Sequence, residues 1–120
     1  MAAPNLKNVA TIFGNTDSAL LTTTLTSIVT NSSSSGKVYK INTIMVSNVD
    51  GTNDAVIDVA FSDNGTARYL GYQMALPAST TLVITSRDQP IYLEENDSIQ
   101  AKCNTSSDAH IVISYEDMAD

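Results

Sequence analysis

Basic residues are scarce in this 120-residue chain: six Lys and Arg stand against thirteen Asp and Glu, for a net charge of −7. That deficit excludes an electrostatic grip on a nucleic-acid backbone. It argues equally against attachment to an anionic membrane surface. Cysteine occurs once, at Cys103, which rules out an internal disulfide framework and makes synthesis in a reducing cytoplasm the simplest reading. No stretch approaches the roughly 18 apolar residues of a membrane span. Met1-Ala2-Ala3-Pro4-Asn5-Leu6-Lys7 has neither the basic start nor the apolar run of a signal peptide. A repeat of fixed period is also missing, which disfavours a solenoid or propeller. So are a Gly-x-Ser-x-Gly elbow, a Gly-rich phosphate loop and a His-Glu-x-x-His pair. The expectation is a binding or structural protein that is not an enzyme and uses no cofactor.

What is present is a period of two. From Pro90 to Glu116 the apolar residues Ile91, Leu93, Ile99, Ala101, Cys103, Ile111, Ile113 and Tyr115 fall on alternate positions. Polar corners at Glu94–Asp97 and Asn104–Asp108 interrupt them. Strands that wet one face and bury the other read this way. Upstream, Val9–Phe13 predicts a short strand ended by Gly14-Asn15. Ser18–Thr30 is dense in Thr, Leu, Ile and Val; a helix can be drawn through Leu20, Leu21, Leu25 and Ile28, but β-branching and hydroxyls favour a strand. Asn31–Gly36 is a flexible loop.

Lys37–Val49 is the longest strand candidate. Its apolar spacing slips to three between Ile41 and Ile44, the mark of a bulge or of a strand that changes sheets. Ala55–Phe61 places Ile57, Val59 and Phe61 on one face and Asp58 on the other. Asp63-Asn64-Gly65 is a hairpin signal, and Arg68–Leu76 returns with Leu70, Tyr72, Met74 and Leu76 in phase. Leu82–Thr85 completes the set. About eight antiparallel strands with turn residues between them predict an all-β domain over residues 9–120, a single β-sandwich or jelly roll. Residues 1–8, interrupted by Pro4, read as an N-terminal arm.

Three acidic clusters invite a calcium reading: Asp50 with Asn53 and Asp54, Asp63 with Asn64, and Glu94–Asp97. Calcium needs six to eight converging oxygens, whereas each cluster lies where a β-turn is already expected, so no metal site is assigned. Cys103 shares the inward phase of Ile99 and Ala101 and reads as core. His110 is out of phase with Ile111 and Ile113 and should face solvent or a neighbour. Among the tyrosines, Tyr72 and Tyr115 read as core, while Tyr69 and Tyr92 are out of phase and are candidate contact residues. Pro4 and Leu6 on the arm join Tyr69, Tyr92 and His110 as candidate partner contacts. The arm is a candidate for strand addition to a neighbouring subunit.

The segment Ser35-Gly36-Lys37-Val38-Tyr39-Lys40-Ile41-Asn42-Thr43-Ile44-Met45-Val46-Ser47-Asn48-Val49-Asp50-Gly51 resembles small virion structural proteins of marine tailed bacteriophages. The resemblance continues through Ile91–Ile99 and Val112–Glu116 and covers most of the chain beyond the arm. It rests on strands and turns and carries no catalytic residues. It implies a β-sandwich located in the virion after synthesis in the host cytoplasm. It also implies a homo-oligomer such as a trimer, whose partners are the major capsid protein or other virion proteins. Capsid decoration or cementing is the leading expectation; a tail, neck or fibre component and a carbohydrate- or receptor-binding sandwich are the alternatives.

Overall fold

A computed structural model describes residues 9–120, which form nine strands where about eight were expected. They are β1 (Thr11–Leu20), β2 (Thr26–Thr30), β3 (Lys37–Asn48), β4 (Ala55–Asp63) and β5 (Thr66–Leu76), followed by β6 (Thr81–Thr85), β7 (Ile91–Leu93), β8 (Ser98–Cys103) and β9 (Ala109–Ala119). The first sheet has the order β1-β9-β3-β6, with β7 also paired to β3; the second has the order β2-β8-β4-β5. All pairings are antiparallel. The chain changes sheets at every connection except β4–β5 and β6–β7. Each sheet is therefore assembled from segments distant in sequence.

The alternation read from the sequence builds the core. Ile41, Ile44, Val46, Ile111 and Ile113 point inward from the first sheet, and Val29, Ile57, Val59, Ile99, Ala101 and Cys103 from the second, all essentially inaccessible. Two facing apolar layers of this kind make a β-sandwich. The phase slip in β3 is a bulge: its register against β9 shifts between Ile41 and Thr43, with Asn42 as the extra residue. Asn64 and Gly65 both have positive φ (50° and 95°), the conformation of a two-residue type I′ hairpin between β4 and β5.

Three expectations are corrected. Gly14-Asn15 does not end the first strand, because β1 runs through both in an unbroken register with β9. Gly14 occupies an open position where a Cβ would meet nothing within 4 Å, so the glycine imposes no turn. Ser18–Thr30 is not one strand. At Leu21 the chain leaves the first sheet, where the Leu21 amide donates to the Ala109 carbonyl and the Thr22 carbonyl accepts from the Cys103 amide on the second. Threonine hydroxyls stabilise the corner: Thr22 Oγ1 accepts from the Thr24 amide (3.4 Å), and Thr26 Oγ1 donates to the Thr24 carbonyl (2.8 Å). Side chains that can hydrogen-bond nearby backbone offer it an alternative to the ladder.

The third correction concerns β4 and β5. Asp58, expected to be wet, is 4% exposed, and Tyr72, expected in the core, is 60% exposed. The cause is one bulged region. Asp58 Oδ1 accepts the Gln73 amide at 2.6 Å, Gln73 has φ +50°, and the β4–β5 register shifts on both sides of Val59. Drawing β5 onto the outer carboxylate rotates Leu70 and Tyr72 out of the phase their spacing suggested.

Two buried asparagines tie the loops. Asn31 Nδ2 donates to the carbonyls of Lys37 and Leu93 (2.9 and 3.0 Å). Asn48 Nδ2 donates to those of Asn53 and Leu76 (3.0 and 2.9 Å), while its Oδ1 accepts the Asp50 amide. A buried amide satisfied on both atoms fixes loop geometry, because each unmade bond costs roughly 1–3 kcal/mol.

Candidate interaction surfaces

The acidic turns are engaged with backbone. Asp50 Oδ1 accepts the amides of Thr52 and Asn53 (2.8 and 3.1 Å), and these bonds, that from Thr52 foremost, hold its carboxyl below the usual range. Asp97 accepts the Glu94 amide on one oxygen and the Asn64 amide on the other, so the Glu94–Asp97 corner is bonded to the β4–β5 hairpin. Glu95 accepts the Gly36 amide at 3.0 Å. Among the described residues no group of three or more His, Cys, Asp or Glu side chains converges as metal ligands would. Cys103 is fully buried, in the core position its phase indicated.

The sequence-derived contact residues are exposed but dispersed. Tyr69 (46% exposed) lies on β5 of the second sheet, where its ring meets that of Tyr72 edge-on at 4.8 Å. Tyr92 (43% exposed) and exposed His110 share the outer face of the first sheet, opposite Lys40 and Ser47 of β3. That spacing puts them roughly 20 Å apart along the strand. Pro4 and Leu6 lie outside the described residues.

The outer face of the first sheet is more coherent than any of these residues alone. Val83, Met45, Val112 and Ser18 lie side by side across β6, β3, β9 and β1. Thr81, Ser47, His110 and Leu20 form the next row, in which the Ser47 and Thr81 hydroxyls are 2.9 Å apart. Thr16 and Ser114 make a second such hydroxyl pair at 3.2 Å. These rows carry no charged residue; farther along the same face of β3 and β9, Lys40 and Glu116 face each other. A hollow of 470 Å³ opens among Ser18, Ala19, Leu20, His110 and Val112. Beyond the inner face's core, Tyr115 donates its hydroxyl to Asp17 Oδ2 (2.9 Å) and packs its ring 5.1 Å from that of Tyr39. Burial, then this bond, pushes the Tyr115 phenol well above its ordinary value.

Several exposed apolar residues were not singled out from the sequence: Ile12, Phe13, Leu20 and Val83 are each about half exposed or more. Strands at a sheet edge carry apolar residues that no second layer covers, and single-strand periodicity does not reveal where that layer stops. No protein-family model matches this chain, and neither does any curated protein.

Proposed function

We propose that the protein is a structural component of a phage virion, most specifically a capsid decoration protein that clamps neighbouring capsid subunits as part of a symmetric assembly. The virion assignment draws on the resemblance in β3, β7–β8 and β9. The observation that supports a surface-binding role is the outer face of the first sheet. On a chain of net charge −7, it presents a near-neutral field of hydroxyls and aliphatic side chains, edged by Tyr92 and Leu20. Protein interfaces favour such depletion of charge with aromatic residues nearby. Repeated on a lattice, modest contacts of this kind add up through multivalency.

Purified protein should bind expanded capsid shells stoichiometrically and saturably. Val83→Lys, which charges the β6 side of the face without touching the core, should weaken that binding at least tenfold. Retention on purified tails with no binding to shells overturns the capsid assignment.

A further inference from the structure

We infer that the free edge of β1 pairs with the same edge of a second copy, in antiparallel register about a two-fold axis at Thr16. This inference specifies the symmetric assembly proposed above and stands or falls on the protein alone, without the virion.

No described residue covers or guards this edge. Among the described residues β1 pairs only with β9, over ten residues without a bulge. Natural sheets blunt such edges with lysine, proline, bulges or short strands. Thr11–Leu20 contains no lysine, arginine or proline, and its one charge, Asp17, already accepts the Tyr115 hydroxyl. Ile12 and Phe13 (57% and 60% exposed) project from opposite faces of the strand.

Hydrogen-bond parity limits the register. Leu21 donates to Ala109 in the same register that pairs β1 with β9, so odd-numbered residues of β1 direct their amides and carbonyls at β9. Even-numbered residues, Ile12 to Leu20, direct theirs outward. A two-fold antiparallel pairing must therefore match even with even, which requires the axis to pass through a residue rather than between two. The two central choices are Asn15 and Thr16. An axis at Asn15 sets Phe13 against Asp17 of the second copy and Ile12 against its Ser18. An axis at Thr16 sets Ile12 against Leu20, Phe13 against Ala19, and Asn15 against Asp17. Apolar then meets apolar on both faces, and the amide of Asn15 can reach the Asp17 oxygen that Tyr115 leaves free. Ile12 of the second copy also falls beside the hollow at Leu20 and His110. This complementarity selects a second copy, at one register, as the occupant. The contact is isologous and closes at two chains, in place of the three-fold arrangement expected from the resemblance. The two Asp17 side chains lie roughly 8 Å apart in this register, and both chains are acidic, so added salt should tighten the pair.

Sedimentation at tens of micromolar tests the proposal. The whole chain should run at twice 12.8 kDa. Thr16→Pro removes an outward amide, which an edge strand tolerates, and should give a folded monomer with unchanged circular dichroism. Ile12→Lys and Leu20→Glu should each weaken the dimer at least tenfold, and the double variant, which sets lysine against glutamate, should recover most of that loss. In a Cys103→Ser background, Thr16→Cys should cross-link to itself on mild oxidation, since facing Cα atoms near 5.5 Å suit a disulfide. Asn15→Cys should not. A monomeric whole chain, a dimer indifferent to Thr16→Pro, or cross-linking at position 15 but not at 16 overturns the proposal. So does a chain that dimerises only once residues 1–8 are removed, because that segment would then be the edge's occupant.

Discussion

The two long edge strands of this sandwich, β1 and β5, meet solvent in opposite ways. β1 keeps one register with β9 from Thr11 to Leu20. β5 breaks its register with β4 around Val59, turns Gln73 to positive φ and bonds its amide to Asp58. Gly71 sits inside that distortion, where a Cβ would fall 2.1 Å from the Met74 sulfur. A bulged, strongly twisted edge is a poor template for another strand, whereas a straight one is a good template. The contrast teaches that exposure alone does not mark a docking edge. Tyr72 is as exposed as Phe13, yet only Phe13 stands on a strand whose backbone can accept a partner.

Changes to the strands behind each edge carry the largest expected effects. Ile113 in β9 supports β1 and Ile57 in β4 supports β5, and both are fully buried. Ile113→Ala and Ile57→Ala should each lower stability by about 2–5 kcal/mol, read as the shift of the urea midpoint. A large loss at one and almost none at the other would mean that a single sheet carries the fold. Next in size is Asp58→Ala, which strands the Gln73 amide and removes the 3.7 Å ion pair with Lys102. It should cost about 1–3 kcal/mol and speed exchange of the Gln73 amide. An unchanged exchange rate there would remove Asp58 as the cause of the bulge.

Tyr115→Phe sharpens the other side of the comparison, since it frees Asp17 on β1 at a cost of about 1 kcal/mol. Its pH dependence has a definite sign. Folding raises the phenol's pKa above its unfolded value of 10.0, through burial first and the Asp17 bond second. The folded state therefore holds this proton more tightly, and the associated stability is intact below pH 10 and lost as pH climbs past it. Tyr39, raised mainly by burial, loses stability in the same direction. Denaturation midpoints should fall above pH 10 in the parent chain and fall less steeply in Tyr115→Phe. The smallest effect belongs to Asp50→Ala at the exposed turn after β3. The depressed carboxyl of Asp50 contributes above its ordinary value of 3.8 and loses that contribution as pH falls. Removing it should flatten the acid limb slightly and leave the alkaline limb alone.

Much of the fold is legible in the sequence where one strand reports on itself. The alternation of Ile99, Ala101 and Cys103 and of Ile111, Ile113 and Tyr115 places the inward faces correctly, and the slipped spacing at Ile41 and Ile44 marks the bulge at Asn42. Features that depend on a second strand are hidden. Gly14-Asn15 looks like a strand end until β9 pairs across it, and Asp58 looks wet until β5 folds over it. The tying roles of Asn31, read as part of a loop, and of Asn48, read as the end of a strand, are equally hidden, because their partners lie up to 62 positions away. The candidate surface was legible in two of its parts, with Tyr92 and His110 exposed as their phase implied. Its continuity was not, since the rows across β6, β3, β9 and β1 join segments that are scattered along the chain.

Amide hydrogen exchange, followed residue by residue at two protein concentrations, tests the difference between the edges most directly. Odd-numbered amides of β1 face β9 and should be protected at both concentrations. The even-numbered amides from Ile12 to Leu20 should exchange quickly in dilute solution and become protected as concentration rises, while the outward amides of β5 stay fast throughout. Even-numbered β1 amides that remain fast at high concentration, or outward β5 amides that slow in their place, would contradict the account.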